Sequence, residues 1–224
     1  MGEVLSYSIT SGVLLLTMFL AFRLTLSSEK QHGYNRGIML LMYLVAFTAL
    51  PAAQFIRGLS ATAPVAEASF ATVVTAEEAT TTAAKPIWGT VLIWMYLTGL
   101  LVVTLKTILT WRNIIWLVSC GEKIKKDGYT LVLTDNERVA PFSWIRYVVM
   151  SRKDYATCGD AILIHEKRHI ALYHWVDLLI AQAVVIINWF NPAAWLAREE
   201  LMLIHEYQAD MAVVQSGNDA KDYQ

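Results

Sequence analysis

Long uncharged stretches alternate with short polar ones in the first half of the chain. The uncharged stretches cover residues 4–22, 37–56 and 87–105, and each has close to the ~20 residues that a helix needs to cross the hydrocarbon core of a bilayer. Pro51 falls in the second stretch, where a membrane helix tolerates a kink. The pattern predicts three membrane-spanning helices in a transmembrane region of residues 1–110.

The charges around these stretches predict their orientation. Arg23, Lys30 and Arg36 lie between the first two stretches, whereas residues 58–84 contain no Lys or Arg. Because loops rich in Lys and Arg stay in the cytoplasm, the N-terminus should lie outside and the first loop inside. Five basic residues between positions 106 and 126 place the chain after the third helix in the cytoplasm as well. The first helix should be retained and not removed as a signal peptide, since no Lys or Arg precedes it and no small-residue cleavage site follows it.

The composition supports a membrane protein. Hydrophobic residues make up 56% of the chain and charged residues 17%, and the mean hydropathy of +0.42 is above that of an ordinary soluble domain. The net charge of -1 gives no reason to expect direct binding of nucleic acid. Cys120 and Cys158 are far apart and in no metal or redox spacing, which favours free thiols in a reducing compartment, with a disulfide as the weaker alternative.

The second half of the chain, residues 111–224, predicts an α+β domain with a small β-sheet. Residues 129–133 and 144–150 are rich in β-branched and aromatic side chains, which is typical of strands. One helix should begin near Asp160, which can cap a helix N-terminus, and another near Pro192, since proline suits the first turn.

The strongest chemical signal is the H-E-x-x-H pattern His165-Glu-Lys-Arg-His169. On a helix the two histidines lie one turn apart on one face, so both imidazoles can bind one zinc ion, Zn2+, with Glu166 beside the open coordination position. Zinc held by three protein ligands lowers the pKa of its bound water to near ~7, and the glutamate takes the proton. The alternative is a solvated helix face, which the neighbouring Lys167 and Arg168 would suit.

A third metal ligand is available on the helix that begins near Pro192. Glu206 is favoured, because Asp210 lies one turn further on the same face and could accept the free ring proton of a zinc-bound histidine. His205 points about 100° away and should meet the substrate or the sheet. The remaining candidates have other interpretations: Glu199 and Glu200 as a solvated helix face, His174 as an ordinary interfacial histidine, and Asp177 either as a buttress of the metal helix or as a simple polar interruption.

Residues 176–190 are apolar enough to suggest a fourth span, but Asp177, Gln182 and Asn188 interrupt them. A run of this length more often forms a buried or interfacial helix. If it crossed the membrane, the two histidines and Glu206 would lie on opposite sides and could not share one ion. We therefore expect that it does not cross, or that the downstream ligand is another residue.

Taken together, these segments resemble the BlaR/MecR-type membrane zinc metallopeptidases, a family of bacterial sensor-transducers. The resemblance covers nearly the whole chain and is carried by Tyr34-Asn35-Arg36, by Pro141-Phe142-Ser143, by Gly159 through Glu166 and by Trp189 through Asp210. It implies a cytoplasmic, gluzincin-like zinc metalloprotease domain after the three transmembrane helices that the uncharged stretches predict. It also implies zinc ligands His165, His169 and Glu206, with Glu166 catalytic.

The resemblance further implies a function and a setting. The protein would be a zinc metalloendopeptidase of the bacterial inner (cytoplasmic) membrane that cleaves a cytoplasmic protein, such as a transcriptional repressor, in response to an external signal. Family members continue into a further span and a C-terminal domain, so the chain is expected to be truncated. Whether it forms a homodimer stays open.

The same residues leave alternative functions open. A non-catalytic membrane receptor or scaffold with a structural zinc site is the first. A site-2-type intramembrane protease is disfavoured because Lys167 and Arg168 would be costly inside hydrocarbon. A prenyl-protein protease usually has more spans.

Substrate docking can also be predicted. A protease can hold its substrate as a strand added to an open sheet edge. The predicted strand 144–150 is the one closest in sequence to the metal helix, and the polar residues 151–154 come directly after it. It is therefore expected to be the edge that faces the zinc cleft.

Overall fold

The computed structural model describes residues 2–26, 31–60 and 87–216. Within these ranges the chain forms six helices and a four-stranded sheet. In chain order the elements are α1 (Gly2–Thr25), α2 (His32–Ser60), α3 (Ile87–Cys120), β1 (Glu122–Lys126), β2 (Tyr129–Thr134), β3 (Phe142–Trp144), β4 (Tyr147–Ser151), α4 (Arg152–Ala171), α5 (His174–Ile187) and α6 (Pro192–Gln215). Most of the predicted outer loop and the last eight residues, 217–224, lie outside the described residues.

Two of the described helices are long and apolar enough to cross a bilayer, over Tyr7–Thr25 in α1 and Trp88–Cys120 in α3. The pair α4 and α5 is a third candidate, because the two helices meet the same requirement together although they are bent by 62°. The chain is therefore compatible with a membrane protein, as predicted. The predicted second span, residues 37–56, is part of α2, which is not among the described helices that meet the requirement. Helix α3 continues through the predicted boundary at residue 110.

The first two helices and the last two share one hydrophobic core. Leu15 of α1, Met39 of α2, Val185 of α5 and Leu201 of α6 are all fully buried in it. The predicted transmembrane and catalytic regions are thus packed together and not joined only by a linker.

The turn between α5 and α6 packs against α1 and α3. Nδ2 of Asn191 donates to the backbone oxygen of Gly12 at 2.8 Å, and Nε1 of Trp189 donates to that of Tyr96 at 3.1 Å. The hydroxyl of Tyr96 in turn donates to the backbone oxygen of Ile187 at 3.0 Å, at the end of α5. In hydrocarbon, backbone groups at a helix end must be satisfied by the protein itself, and the hydroxyl of Tyr96 does this for the backbone oxygen of Ile187.

Two further contacts describe how these helices pack, and the second gives their relative direction. A Cβ on Gly99 of α3 would lie 2.2 Å from the ring of Trp189, so glycine is needed for the indole to approach this closely. Towards the other end of α1, a guanidinium nitrogen of Arg23 lies 3.1 Å from Glu200. Because Asn191 meets Gly12 and Glu200 meets Arg23, α6 runs parallel to α1. The chain therefore reverses direction between α5 and α6.

The sheet has the strand order β1-β2-β4-β3, with β2 and β4 parallel and both outer pairs antiparallel. Strand β2 confirms the prediction for residues 129–133, but the prediction of one strand over 144–150 is wrong. Ile145 has a left-handed backbone, with φ of 56°, and the turn there separates β3 from β4. Strand β4 lies inside the sheet with Val148 fully buried, so the edge near the metal helix is β3.

The helix that carries the H-E-x-x-H pattern is longer than predicted. Helix α4 begins at Arg152, and the side chain of Ser151 caps it by accepting from the backbone N–H of Asp154. The predicted start near Asp160 instead comes just after a kink at Cys158, whose backbone leaves the helical region. Helix α6 begins at Pro192 as predicted, with Asn191 as its cap. The two cysteines, Cys120 and Cys158, are free thiols, as predicted.

Candidate metal centre

Three predicted metal ligands converge between α4 and α6. Nε2 of His165 lies 3.1 Å from Nε2 of His169 and 3.3 Å from Oε2 of Glu206. Oε1 of Glu206 lies 3.8 Å from Nε2 of His169. The one-turn spacing of the histidines on α4 and the packing of α6 against this face bring the donor atoms together, so that they all lie within 4.8 Å of one another.

The spacing of these atoms fits zinc. Zinc binds histidine nitrogen and carboxylate oxygen at about 2.0–2.2 Å in tetrahedral geometry, which separates neighbouring donor atoms by about 3.3–3.6 Å. The observed separations of 3.1, 3.3 and 3.8 Å bracket that range. Three protein donors leave one tetrahedral position open, as in catalytic zinc sites, whereas structural zinc sites have four protein ligands.

Asp210 lies where it can fix the ring proton of His165. Its Oδ1, one turn beyond Glu206 on α6, is 3.0 Å from Nδ1 of His165. A carboxylate at this distance favours a proton on Nδ1, which turns Nε2 toward the cluster as the ligating atom. The structure thus places Asp210 beside His165, a candidate ligand.

Two polar side chains, the buried His174 and the half-buried Gln208, position the ring of His169. Nε2 of His174 lies 3.0 Å from Oε1 of Gln208, and an amide oxygen at this distance favours the tautomer of His174 with its proton on Nε2. Nδ1 of His174 must then accept from Nδ1 of His169, 2.8 Å away. This leaves Nε2 of His169 with a lone pair directed at the cluster. The interpretation of His174 as an ordinary interfacial histidine is wrong, because the residue is buried and orients a candidate ligand.

The electrostatics of the cluster favour a bound cation. Burial lowers the pKa of His169 to about 4, so its ring is neutral at pH 7. The hydrogen bond with His165 holds the pKa of Glu206 below its ordinary value. Burial alone would lower the pKa of His165, but the hydrogen bond to Glu206 and the charges of Glu166 and Asp210 raise it above its ordinary value. The inward-facing nitrogen and carboxylate oxygen atoms therefore favour a positive charge between them, which a metal ion can supply.

Glu166 lies beside the cluster without being one of its three members. It is buried and lines a cleft of about 510 Å³ together with His165, His169 and Glu206. Burial raises the pKa of Glu166 above its ordinary value, while a hydrogen bond with Ser143 of β3 opposes the rise. A carboxyl group with a raised pKa is suited to accepting and returning a proton near neutral pH.

Asp177 of α5 contacts side chains of α2 and α6 next to the metal cluster. Its Oδ2 accepts from Nε of Arg36 at 2.6 Å and lies 2.9 Å from Nε2 of His205. Arg36 also donates to the backbone oxygen of Leu172 at 2.7 Å, at the C-terminal cap of α4. Through Arg36, Asp177 thus ties α2 and α5 to the end of the helix that carries the two histidines.

The expectation that His205 meets the substrate or the sheet is wrong. The residue is 2% exposed, and its ring stacks on that of His174 with centroids 3.9 Å apart. Of the other rejected ligand candidates, Glu199 is exposed, as expected. Glu200 is not simply solvated, because it pairs with Arg23.

Sequence reasoning missed three residues of the site: His174 as a partner of His169, Gln208, and Arg36. Gln208 lies two positions before Asp210 on α6, and no spacing rule distinguishes it from an exposed glutamine. The only signal for Arg36 was a charged residue at the start of an apolar helix, and its partner is 141 positions away. His174 gave no usable signal because a straight helix would carry it off the metal face.

No protein-family profile matches the chain, and no curated protein matches it in sequence.

Proposed function

We propose that this protein is a membrane-anchored zinc metalloendopeptidase that cleaves a protein on the cytoplasmic side of a bacterial inner membrane. The supporting observation is the convergence of Nε2 of His165, Nε2 of His169 and the carboxylate of Glu206 at zinc-like distances, with the buried Glu166 beside them. Three protein donors with an open fourth position suit catalysis. This favours an enzyme over a receptor or scaffold with a structural zinc site.

His165, His169 and Glu206 would hold the zinc ion, which would supply Lewis acidity to polarise a carbonyl and lower the pKa of water. Glu166 takes the proton from the attacking water and returns it to the leaving amine, acting first as general base and then as general acid. Its burial favours the protonated state between the two transfers, and the hydrogen bond with Ser143 keeps the carboxyl group at the wall of the cleft. Asp210 and His174 keep both ligand rings in the required orientation.

Strand β3 offers an edge for the substrate. In the described sheet it has a strand neighbour on one side, β4, and Pro141, Phe142 and Ser143 line the cleft with His165 and Glu166. A peptide added along β3 would be held extended by backbone hydrogen bonds, with its carbonyl groups directed across the cleft. The opposite edge, β1, carries three lysines, and lysines on an edge strand discourage pairing.

Helices α1 and α3 serve as membrane anchors in this proposal, with α2 as a third span. The distribution of Lys and Arg supports an outer N-terminus and a cytoplasmic metal centre. Arg36 of the predicted cytoplasmic loop agrees with this, because it pairs with Asp177, whose carboxylate lies 2.9 Å from Nε2 of His205, next to Glu206 on α6. The resemblance to BlaR/MecR-type peptidases supports a gluzincin-like domain and a substrate such as a transcriptional repressor.

The substitution Glu166→Gln tests the enzyme proposal. The parent protein, purified in detergent with zinc, should cleave members of a fluorescence-quenched peptide library. The variant should keep its zinc and lose at least about a hundredfold in rate, because a positioned general acid and base contributes roughly 10²–10⁴-fold. Glu199→Gln, at an exposed glutamate of α6, is the matched control and should cleave at the parent's rate.

Metal analysis of two variants separates the possible failures. Glu206→Ala should lose zinc, and full zinc occupancy in that variant would refute the ligand set. Cleavage by Glu166→Gln at the parent's rate would refute the role of Glu166. If the parent binds zinc through the three ligands and cleaves no peptide or cytoplasmic protein, the receptor or scaffold is the better assignment.

A further inference from the structure

A second cavity, the α3 cavity, adjoins the metal cleft on the side of α3. It has a volume of about 580 Å³ and lies between α3, α5, α6 and the turn after β3. Phe142, Ser143, His169 and Leu178 line both this cavity and the metal cleft. The two spaces are therefore separated by a shared layer of side chains.

The α3 cavity is positively charged. Lys106 of α3 and Arg198 of α6 both line it, and the residues around it include no aspartate or glutamate. In the part of the chain that the structure describes, neither cation forms an ion pair, and Nε of Arg198 is buried without a hydrogen-bond partner. A buried donor without an acceptor costs free energy. The cavity is thus suited to an anion.

The rest of the lining is mainly apolar and aromatic. Trp111, Trp175 and Trp195 contribute to it together with aliphatic side chains of α3 and α5. Trp111 is 40% exposed and Trp195 37%, so both rings also reach the surface. Trp111 follows Lys106 by five positions on α3, and tryptophan just beyond a basic residue at the end of a span is typical of the boundary between hydrocarbon and headgroups. An occupant that fits both parts of the lining must combine an anionic group with an apolar body.

Both cations lie near the same end of the apolar helices. Lys106 is about 27 Å along α3 from Trp88 at about 1.5 Å per residue, and Trp88 is where the apolar stretch begins. That length is close to the thickness of a hydrocarbon core, about 30 Å. Arg198 lies two positions before Glu200, which pairs with Arg23 near the end of the α1 stretch. Lys106 is therefore at the headgroup level of the leaflet nearer the metal centre. Arg198 lies seven positions after Asn191, which meets Gly12, so at about 1.5 Å per residue it lies deeper in the hydrocarbon on the same side of the bilayer.

We propose that the α3 cavity binds an anionic phospholipid of that leaflet, with the headgroup phosphate between Lys106 and Arg198 and an acyl chain along the apolar wall. Basic pockets beside membrane helices bind anionic headgroups through the same chemistry. An amphiphile accounts for the unpaired cations, the apolar wall and the depth together, whereas inorganic phosphate would leave the apolar wall uncovered. The inference rests on α1 and α3 lying in a bilayer and does not depend on peptidase activity.

Lipid titration of the full chain tests the inference. The protein, purified in a neutral detergent, is titrated with palmitoyl-oleoyl phosphatidylglycerol, with the matching phosphatidylcholine and with inorganic phosphate. Tryptophan fluorescence reports binding, and lipid retained after gel filtration gives the stoichiometry. We expect saturable binding of about one phosphatidylglycerol per chain, driven by a charge contribution on the order of fivefold per basic residue. Phosphatidylcholine should bind more weakly, and phosphate should cause no saturable change.

Charge-removing variants locate the site. Lys106→Gln and Arg198→Gln should each weaken phosphatidylglycerol binding by about fivefold, and Arg198→Lys should restore most of the loss. Arg112→Gln is the matched control, because Arg112 is exposed on the same helix and does not line the cavity. Arg198→Gln could fail to fold, which loss of zinc would show. Lys106→Gln still tests the site in that case, because Lys106 is exposed and its substitution should not disturb the fold.

Three results would overturn the inference. An equal loss in Lys106→Gln and Arg112→Gln would show general attraction to anionic micelles without a site. Equal affinity for phosphatidylglycerol and phosphatidylcholine would show that Lys106 and Arg198 do not select an anionic headgroup. Failure to retain phosphatidylglycerol, together with a fluorescence change on adding an acidic peptide that Lys106→Gln abolishes, would assign the cavity to the protein substrate.

Discussion

Nδ1 of His174 lies 2.8 Å from Nδ1 of His169, so a buried ring on α5 determines which nitrogen of a candidate ligand on α4 carries the proton. The substitution His174→Phe keeps a buried ring of similar size but removes the acceptor. Partners that orient a metal ligand are typically worth 10–100-fold in metal affinity, and we expect a loss of that size. Competition with a chromophoric chelator for zinc measures it.

A matched histidine substitution separates this effect from a general loss of stability. His32→Phe changes the histidine of α2, which stacks on Tyr207 with ring centroids 4.8 Å apart and is not a member of the metal cluster. It should leave zinc affinity unchanged. Gln208→Leu should weaken zinc binding, because it removes the acceptor that holds the proton of His174 on Nε2. Unchanged affinity in both His174→Phe and Gln208→Leu would show that the ring of His169 needs no partner.

Asp177 carries the second prediction. Its side chain is 5% exposed and that of its partner Arg36 is 19% exposed, so Asp177→Ala leaves a largely buried guanidinium without its carboxylate. Removing one partner of a buried ion pair costs about 3–5 kcal/mol. We expect the free energy of unfolding to fall by an amount near the lower end of that range, because Arg36 keeps its bond to the backbone oxygen of Leu172.

Thermal or denaturant unfolding in detergent measures this loss. Asp135→Ala is the control, because Asp135 pairs with Arg152 at 2.9 Å but is 89% exposed, and exposed ion pairs contribute about 0–1 kcal/mol. Asp177→Asn should lie between the two, since it removes the charge and keeps an acceptor. Equal destabilisation by Asp177→Ala and Asp135→Ala would show that the contact between Arg36 and Asp177 does not stabilise the fold.

The contrast between His169 and His174 shows which parts of the site were predictable from sequence. The one-turn spacing of His165 and His169 is a property of a single helix, and so is the spacing of Glu206 and Asp210. Each could therefore be placed on a shared face in advance. The contact between His169 and His174 depends on the 62° bend between α4 and α5. A straight helix would have directed His174 away from the metal, which is why it was misassigned.

Two further differences from expectation are local features of the backbone that the side-chain pattern does not reveal. The edge strand was misplaced because a single residue with a left-handed backbone, Ile145, divides a run of β-forming side chains, and the run itself gives no sign of this. The start of α4 was placed late because Asp160 is a good capping residue, yet Ser151 provides the cap. The start of α6 was predicted more closely, since Asn191 and Pro192 form a local signal.

The corrected edge gives the third prediction. When a peptide that the parent cleaves binds to the Glu166→Gln protein, deuterium exchange should slow in β3 and not in β1, because β3 lines the metal cleft and would gain backbone hydrogen bonds. Strand β1 is the internal control, as the other edge of the same sheet. Protection in β1, or in neither strand, would mean that the substrate is held elsewhere. Val148→Pro is not a useful probe of docking, because it would disrupt the interior strand β4.

The last prediction concerns the turn between α5 and α6. It meets α1 at Gly12 and α3 at Tyr96, which are about 8 Å and 12 Å along these helices from the ends of the apolar stretches at Tyr7 and Trp88, at about 1.5 Å per residue. If α1 and α3 cross a bilayer of about 30 Å, the turn is inside hydrocarbon. Phe190 is 40% exposed at this turn and should therefore face lipid and not water.

Cysteine labelling tests this placement in a background with Cys120 and Cys158 replaced by serine. A cysteine at position 190 should react with a lipid-soluble maleimide and with no membrane-impermeant maleimide, whether that reagent is added outside or after permeabilisation. Lys125→Cys, at an exposed position of β1, is the control and should react with the impermeant reagent only after permeabilisation. Reaction of position 190 with the impermeant reagent from outside would place the turn at the outer surface, so that α5 would cross the bilayer. Reaction after permeabilisation alone would place α5 and α6 in the cytoplasm, and α1 and α3 could not then span the membrane in the packing described.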